Sequence, residues 1–273
     1  MDDQPPRLFS PNWIGVEIDD FALNFRYYTH DFEIPPSAEE TNWAHIGASL
    51  QQRLTMKCPG VMFELFGDAN PQYPQSWRPW IMTVDPEQLI HHIPGPHIDT
   101  WCPGFGDGWE VIAPAGIRWA ISKTTNPACI QDLWPPMIIG LELPVKDLEK
   151  QRDFYVNTFM LDPIQKGEDA VMLTQGANMP YLVFVRAPEP PIVPYNPKLL
   201  PSDSKLSMSI EVSDINIASK IVIDSGATIT TPVRDHPEYG TDMNFLDPEG
   251  NPLQIVQYHP PRTAAVDMGA LSC

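Results

Sequence analysis

At 273 residues and 42% hydrophobic content, the chain can bury the core of one large or two ordinary domains without covalent staples, which excludes a wholly disordered protein. Its 35 acidic and 17 basic side chains give a formal charge of -18, a field that repels phosphate backbones and anionic headgroups alike. No nucleic acid and no membrane surface is therefore an expected partner. The opening MDDQPPRLF puts two acids where a secretory signal needs bases, and no apolar run approaches the roughly 20 residues of a membrane span. A cytoplasmic location is expected. Cys58, Cys102, Cys129 and Cys273 stand far apart and form no CxxC, so neither a disulfide framework nor a zinc site is indicated. The 32 prolines collect in places such as Pro35-Pro36, Pro135-Pro136 and Pro188 to Pro201, which marks boundaries rather than element interiors.

Four times along the chain a strand-like run ends in an aspartate that opens an amphipathic stretch. Trp13 to Ile18 leads to Asp20, with Phe21, Phe25 and Tyr28 spaced as the buried stripe of a short helix. Trp80 to Val84 leads to Asp85 and Pro86, a favoured first helical residue, with Leu89 and Ile93 on one side and Gly95 as the stop. Ile138 to Val145 leads to Asp147 with Leu148 and Tyr155, and Leu206 to Val212 leads to Asp214 with Ile215, Ala218 and Val222, closed by Gly226. The four aspartates recur about every 65 residues, room for one strand, one helix and three further strands. Four βαβββ units are predicted. Only the second and fourth end in a proline-glycine turn, at Pro114 to Gly116 and at Pro248 to Gly250. That marker makes the chain a tandem duplication of a two-unit domain, with domains at 8–124 and 137–260 and a flexible tail at 261–273.

The fourth unit reads Ser209-Ile210-Glu211-Val212-Ser213-Asp214, then Asp224-Ser225-Gly226-Ala227, then Tyr239-Gly240 and Phe245-Leu246-Asp247-Pro248-Glu249-Gly250-Asn251-Pro252. It resembles the closing half of a glyoxalase/bleomycin-resistance/dioxygenase domain, the vicinal oxygen chelate superfamily, and the DPEGN turn is the most specific piece. The third unit, with Asp147-Leu148-Glu149-Lys150 and Asp153-Phe154-Tyr155, resembles that family's opening half. Residues 137 to 259 carry the resemblance, and residues 10 to 123 follow it in outline only. The resemblance implies an α+β fold in which units pair into half-barrel cups, two cup domains in all, whose concave faces hold ligand.

Most enzymes of that superfamily hold a divalent metal through His, Glu or Gln at one inward position on the first, fifth and eighth strands of a domain. The matching positions here are Gly140, Ser207 and Gln254 in the second domain and Trp13, Pro79 and Ala120 in the first. Only Gln254 can ligate, so the expectation is a cup with no metal and no cofactor. Parity along the strands then makes Glu142 inward, and Glu17 in the first domain. A carboxylate on an apolar wall has its pKa lifted toward neutrality, which suits acid–base work, or else it is held in a structural ion pair. Arg118 shares inward parity with Ala120 and could stabilise an anion or pair with an acid. Ser207, Ser209, Gln254 and Tyr258 share one face, Asp242 and Asn244 precede the DPEGN turn, and Trp13 lies on the first strand. These are the expected substrate contacts, with Glu142 and Arg118 as the catalytic candidates.

The expected function is metal-independent isomerisation, cyclisation or elimination on a largely apolar metabolite, driven by positioning and acid–base groups. A metabolite-sequestering resistance protein and a metal-dependent lyase or dioxygenase with relocated ligands are the rivals, because one scaffold hosts unrelated chemistries. A small molecule is the expected partner, and a homodimer is compatible with this function.

Overall fold

The computed structural model describes residues 8–17, 20–34, 36–40, 43–46, 62–66, 77–83, 85–102, 106–114, 116–123, 137–175, 178–187, 206–237 and 239–258. All four predicted units are present. The first comprises β1 (Leu8–Glu17), α1 (Phe21–Arg26), a π-helix (Tyr27–Asp31), β2 (Pro36–Glu40), β3 (Trp43–Ile46) and β4 (Met62–Phe66). The second comprises β5 (Arg78–Met82), α2 (Pro86–His92), β6 (Ile98–Cys102), β7 (Gly106–Ile112) and β8 (Arg118–Ser122). The third comprises β9 (Met137–Val145), α3 (Leu148–Phe159), β10 (Asp162–Lys166), β11 (Ala170–Gln175) and β12 (Asn178–Arg186). The fourth comprises β13 (Leu206–Val212), α4 (Ile215–Asp224), β14 (Thr228–His236), β15 (Gly240–Leu246) and β16 (Pro252–Tyr258).

Every predicted cap forms. Asp20 accepts from the Leu23 amide at 3.0 Å, Asp85 from Gln88 at 2.9 Å, Asp147 from Lys150 at 3.0 Å, and Asp214 from Asn216 at 2.9 Å and Ile217 at 3.1 Å. Each bond satisfies an amide that a helix start leaves orphaned, which is why an aspartate stands at each strand-to-helix junction.

The partnering of the units departs from expectation. Consecutive units were predicted to share a cup, but the two eight-stranded sheets run β14-β15-β16-β13-β1-β4-β3-β2 and β10-β11-β12-β9-β5-β8-β7-β6. Sheet A therefore joins the first and fourth units, through antiparallel β1 and β13, and sheet B joins the second and third, through antiparallel β5 and β9. A duplicated hydrophobic pattern is satisfied equally by either pairing, so periodicity cannot distinguish them.

Helix α3 is wedged between the sheets and ties them together. Tyr155 packs on Phe184 of sheet B at 4.9 Å, and Phe159 on Phe245 of sheet A at 6.2 Å. All four rings are almost fully buried, and burial of such a side chain is worth roughly 1.5–3 kcal/mol. At the same junction the fully buried Asp247 carboxylate receives Tyr155 Oη at 3.1 Å, Gln151 Nε2, the Glu249 and Asn251 amides at 2.9 Å each, and Asn251 Nδ2 at 2.8 Å. Asn251 Oδ1 in turn accepts from Trp77 Nε1 at 2.9 Å. The DPEGN turn is thus a structural joint between units. Burial raises the Asp247 pKa despite these donors. On the other flank Tyr28 and Phe32 pack on Trp119 of β8, whose Nε1 donates to Tyr28 Oη at 3.1 Å.

Candidate functional site

Strand alternation separates core-facing from cup-facing side chains. In β9, Leu141, Leu143 and Val145 enter the shared core, which leaves Gly140 and Glu142 on the opposite, cup-facing side. Cross-strand register then brings Arg78 beside Glu142, and Trp80 beside both Gly140 and Ala120. Glu110 lies opposite Ala120 on β7. Pro79 does not face the cup. It lies opposite Leu141 on the core side, one residue away from the cup-facing Arg78 and Trp80.

These residues form one connected polar cluster. Arg78 Nη2 donates to Glu142 Oε2 at 2.6 Å, and its Nη1 donates to Glu110 Oε2 and Thr100 Oγ1 at 2.8 Å each. Trp80 Nε1 also donates to Glu142 Oε2, at 3.3 Å, and the Arg78 guanidinium lies 5.3 Å from the Trp80 ring centroid. Arg118 grips Glu110 with Nε at 3.0 Å and Nη2 at 2.6 Å. Arg78 is 9% exposed at its side chain whereas Arg118 is 50% exposed, so the outer guanidinium is the replaceable one. Burial alone would pull the Arg78 pKa down, but the charges and hydrogen bonds of Glu142 and Glu110 outweigh it and hold it above its ordinary value. Burial likewise pushes Glu110 up, and Arg118 and Arg78 together overcome this and hold it below the usual carboxylate value.

The Trp80 ring needs space. Gly108 supplies it: a Cβ there would lie 3.5 Å from the ring and only 2.7 Å from the Ile121 carbonyl oxygen, too close for β7 and β8 to remain paired. The PGFGDG stretch at residues 103–108 enters β7 at Gly106, while residues 103–105 lie outside the described residues.

Sheet A carries a second cluster. Gln254, Ser209 and Asn244 are in register across β16, β13 and β15, with Asp242 on the Asn244 face. Gln254 Nε2 donates to Asp242 Oδ2 at 2.7 Å, while its carbonyl oxygen accepts from Ser209 Oγ. Asp242 has no exposed surface. It also receives Arg234 Nε at 2.8 Å and Tyr239 Oη at 2.8 Å, and the His236 ring, stacked on Tyr239, brings Nε2 to 3.5 Å. The hydrogen bond to Asp242 raises the Arg234 pKa. Tyr258, half-buried, lies opposite Gly240 at the far end of β16. The backbones of Trp13, Glu17 and Ser207 lie in β1 and β13, but their side chains fall outside the described residues.

Of the expected residues, Glu142 and Arg118 meet through Arg78 and Glu110, and Gln254, Ser209 and Asp242 meet directly. Glu142 is not the isolated wall carboxylate of the acid–base expectation, because Arg78 pairs with it. Arg78, Glu110 and Arg234 were not anticipated. Arg78 was legible, since it lies seven residues before Asp85, the same offset that selects Gly140 from Asp147 and Ser207 from Asp214. The sheet B cluster does not suit a divalent metal. Trp80, Gly140 and Ala120 offer no ligand atoms, and both nearby carboxylates are bonded to guanidinium groups that would repel a cation. Among the described residues no three His, Cys, Asp or Glu side chains gather around one point.

Residues 138–255 match the Glyoxalase/Bleomycin resistance protein/Dioxygenase superfamily. That stretch, the third unit and most of the fourth, is what resembles members of the superfamily by sequence. Glyoxalase I from Zea mays superposes with a TM-score of 0.64 at 14% identity, over 90% of this chain and 91% of that one. A putative dioxygenase from Bacillus subtilis gives 0.65 at 14% identity, over 92% of this chain and 85% of that one. The cppA protein from Streptococcus pneumoniae gives 0.56 at 12% identity, over 92% and 99%. No curated protein matches the chain by sequence. At these identities the likeness establishes the glyoxalase-like fold alone. Among the described residues no helix is long and apolar enough to cross a membrane.

Proposed function

We propose that the chain is a metal-independent enzyme of a small, largely apolar metabolite, and that the cup of sheet B is its working site. The observation that carries this reading is the Glu142–Arg78–Glu110–Arg118 chain, in which a carboxylate able to take a proton stands beside guanidinium groups able to hold the resulting anion. Arg78 Nε is buried and has no partner among the described residues, so it remains a donor for an incoming carbonyl oxygen. Trp80, Met172 and Val183, all nearly or fully buried, supply the apolar surroundings. Glu142 would take a proton from carbon next to a substrate carbonyl while Arg78 stabilises the enolate oxygen, and return of the proton to another carbon, or loss of a leaving group, completes isomerisation or elimination. A sequestering protein is the second reading, favoured by the fact that Glu142 and Glu110 already have internal partners.

A panel of enolisable apolar carbonyl compounds, incubated with the exhaustively chelated protein in deuterium oxide, separates the readings by mass spectrometry. The enzyme exchanges a substrate C–H, and Glu142→Gln lowers that exchange about 10²-fold with ligand affinity changed only a few-fold. Binding without exchange supports sequestration. Exchange that vanishes on chelation, or that survives in full in Glu142→Gln, overturns the proposal.

A further inference from the structure

A separate groove of about 440 Å³ lies where α1, the π-helix, the end of α2 and the β7–β8 turn meet, a volume within the range of small-molecule sites. Its apolar walls are Leu23, Ile112, Pro94 and Pro114, and Arg26, Tyr27, Asp31 and His92 supply its polar groups. The local backbone is unusual twice over. The Phe32 amide bonds back to the Tyr27 carbonyl at 2.9 Å, an i to i+5 bond of a π-helix, a form that is rare and concentrated at functional sites. Glu33 follows at φ 55°, left-handed for a residue with a side chain, and its Oε1 accepts from His92 Nδ1 at 2.6 Å across the two units.

Two observations at this groove point to a ligand. Tyr27 is only 4% exposed, yet its hydroxyl has no hydrogen-bond partner among the described residues, a costly state that a bound acceptor would relieve. Burial, reinforced by the Asp31 charge, raises its pKa, so it stays a neutral O–H donor. Arg26, which lines the same groove, has no ion-pair partner among the described residues, although acids outnumber bases two to one and Arg78, Arg118, Arg152 and Arg234 are all paired. Guanidinium groups recognise carboxylates bidentately.

We propose that this groove binds a small apolar monocarboxylate, its carboxylate held by Arg26 and the Tyr27 hydroxyl and its hydrocarbon body laid on Leu23, Ile112 and the two prolines. Asp31, bonded to His30 Nδ1 at 3.0 Å, adds a negative charge that disfavours more highly charged anions such as phosphate. The test is titration of hexanoate into the full chain, with hexan-1-ol and inorganic phosphate as comparisons, followed by NMR or calorimetry. Hexanoate is expected to saturate, the alcohol and phosphate to bind at least 10-fold more weakly, and Arg26→Gln and Tyr27→Phe each to weaken hexanoate at least 10-fold. Without ligand, Tyr27→Phe is expected to raise Tm, because it deletes a buried hydroxyl that lacks a partner. No saturation up to roughly 10 mM, a range that corresponds to negligible affinity, overturns the proposal. So do unchanged affinity in both variants, equal binding of hexan-1-ol or phosphate, or a lowered Tm for Tyr27→Phe.

Discussion

Replacing Arg78 by methionine, which preserves length and apolar bulk, tests the electrostatics of the sheet B cup. The Arg78 and Glu142 side chains are 9% and 13% exposed, so their 2.6 Å contact is a largely desolvated ion pair. Glu110 would keep both bonds to Arg118, whereas Glu142 would retain only the 3.3 Å bond from Trp80 Nε1. The expected loss is therefore that of one orphaned buried carboxylate, about 3–5 kcal/mol. Adding Glu142→Met removes the orphan, and exchange of a buried pair for packed apolar groups is often near neutral, so the double variant should lie within about 1–2 kcal/mol of wild type. Urea unfolding of the four proteins gives the coupling, provided that the slope with denaturant stays constant. A loss below about 1 kcal/mol for Arg78→Met, or additive losses in the double variant, would refute the assignment of a coupled pair.

Two further outcomes follow from the same geometry. Asp147→Ala should cost about 0.5–2 kcal/mol in thermal or urea unfolding through the uncapped Lys150 amide, while function persists at permissive temperature; abolished function with unchanged stability would make Asp147 a functional group rather than a cap. Because Glu110 titrates lower in the folded protein than in the unfolded chain, its contribution is complete above the unfolded value near about 4.3 and is lost as pH falls through the folded value. Arg118→Gln removes one cause of that depression, so part of the acid-dependent loss should move to higher pH in unfolding curves recorded between about pH 2 and 6; superimposable pH profiles for wild type and variant would sink the linkage.

The capping aspartates made the architecture legible because a helix start has an intrinsic chemical need that an aspartate meets wherever the unit later packs. Unit pairing has no such local signature. Whether β1 lies beside β13 or beside a strand of the second unit depends on which faces close best around α3, and Tyr155, Phe159 and Asp247 reveal that only once Phe184 and Phe245 have been brought together. Counting along the strands and their parity singled out Glu142, Gln254 and Ser209, and Asp242 was singled out by its place before the DPEGN turn. The count failed at Pro79, where an offset of one moves a side chain to the opposite face, and it could not show that the partner of Glu142 is Arg78, since these residues lie on different units.

The crossed pairing bears directly on how the two cups differ. Sheet A is built from the first and fourth units and sheet B from the second and third, so a change in any one unit alters only one cup, and the two are electrostatically unlike. In sheet A the buried Asp242 is surrounded by Gln254, Tyr239 and the Arg234 guanidinium, an arrangement that neutralises one carboxylate and leaves little incentive to admit another anion. In sheet B two carboxylates and two guanidinium groups alternate, and the outermost, Arg118, is half exposed. An entering anionic oxygen can draw Arg118 away from Glu110 without stripping Arg78 from Glu142, because Arg78 is held by both glutamates and by Thr100. That asymmetry between a fixed inner guanidinium and a replaceable outer one is the reason for proposing the sheet B cup, rather than that of sheet A, as the working site.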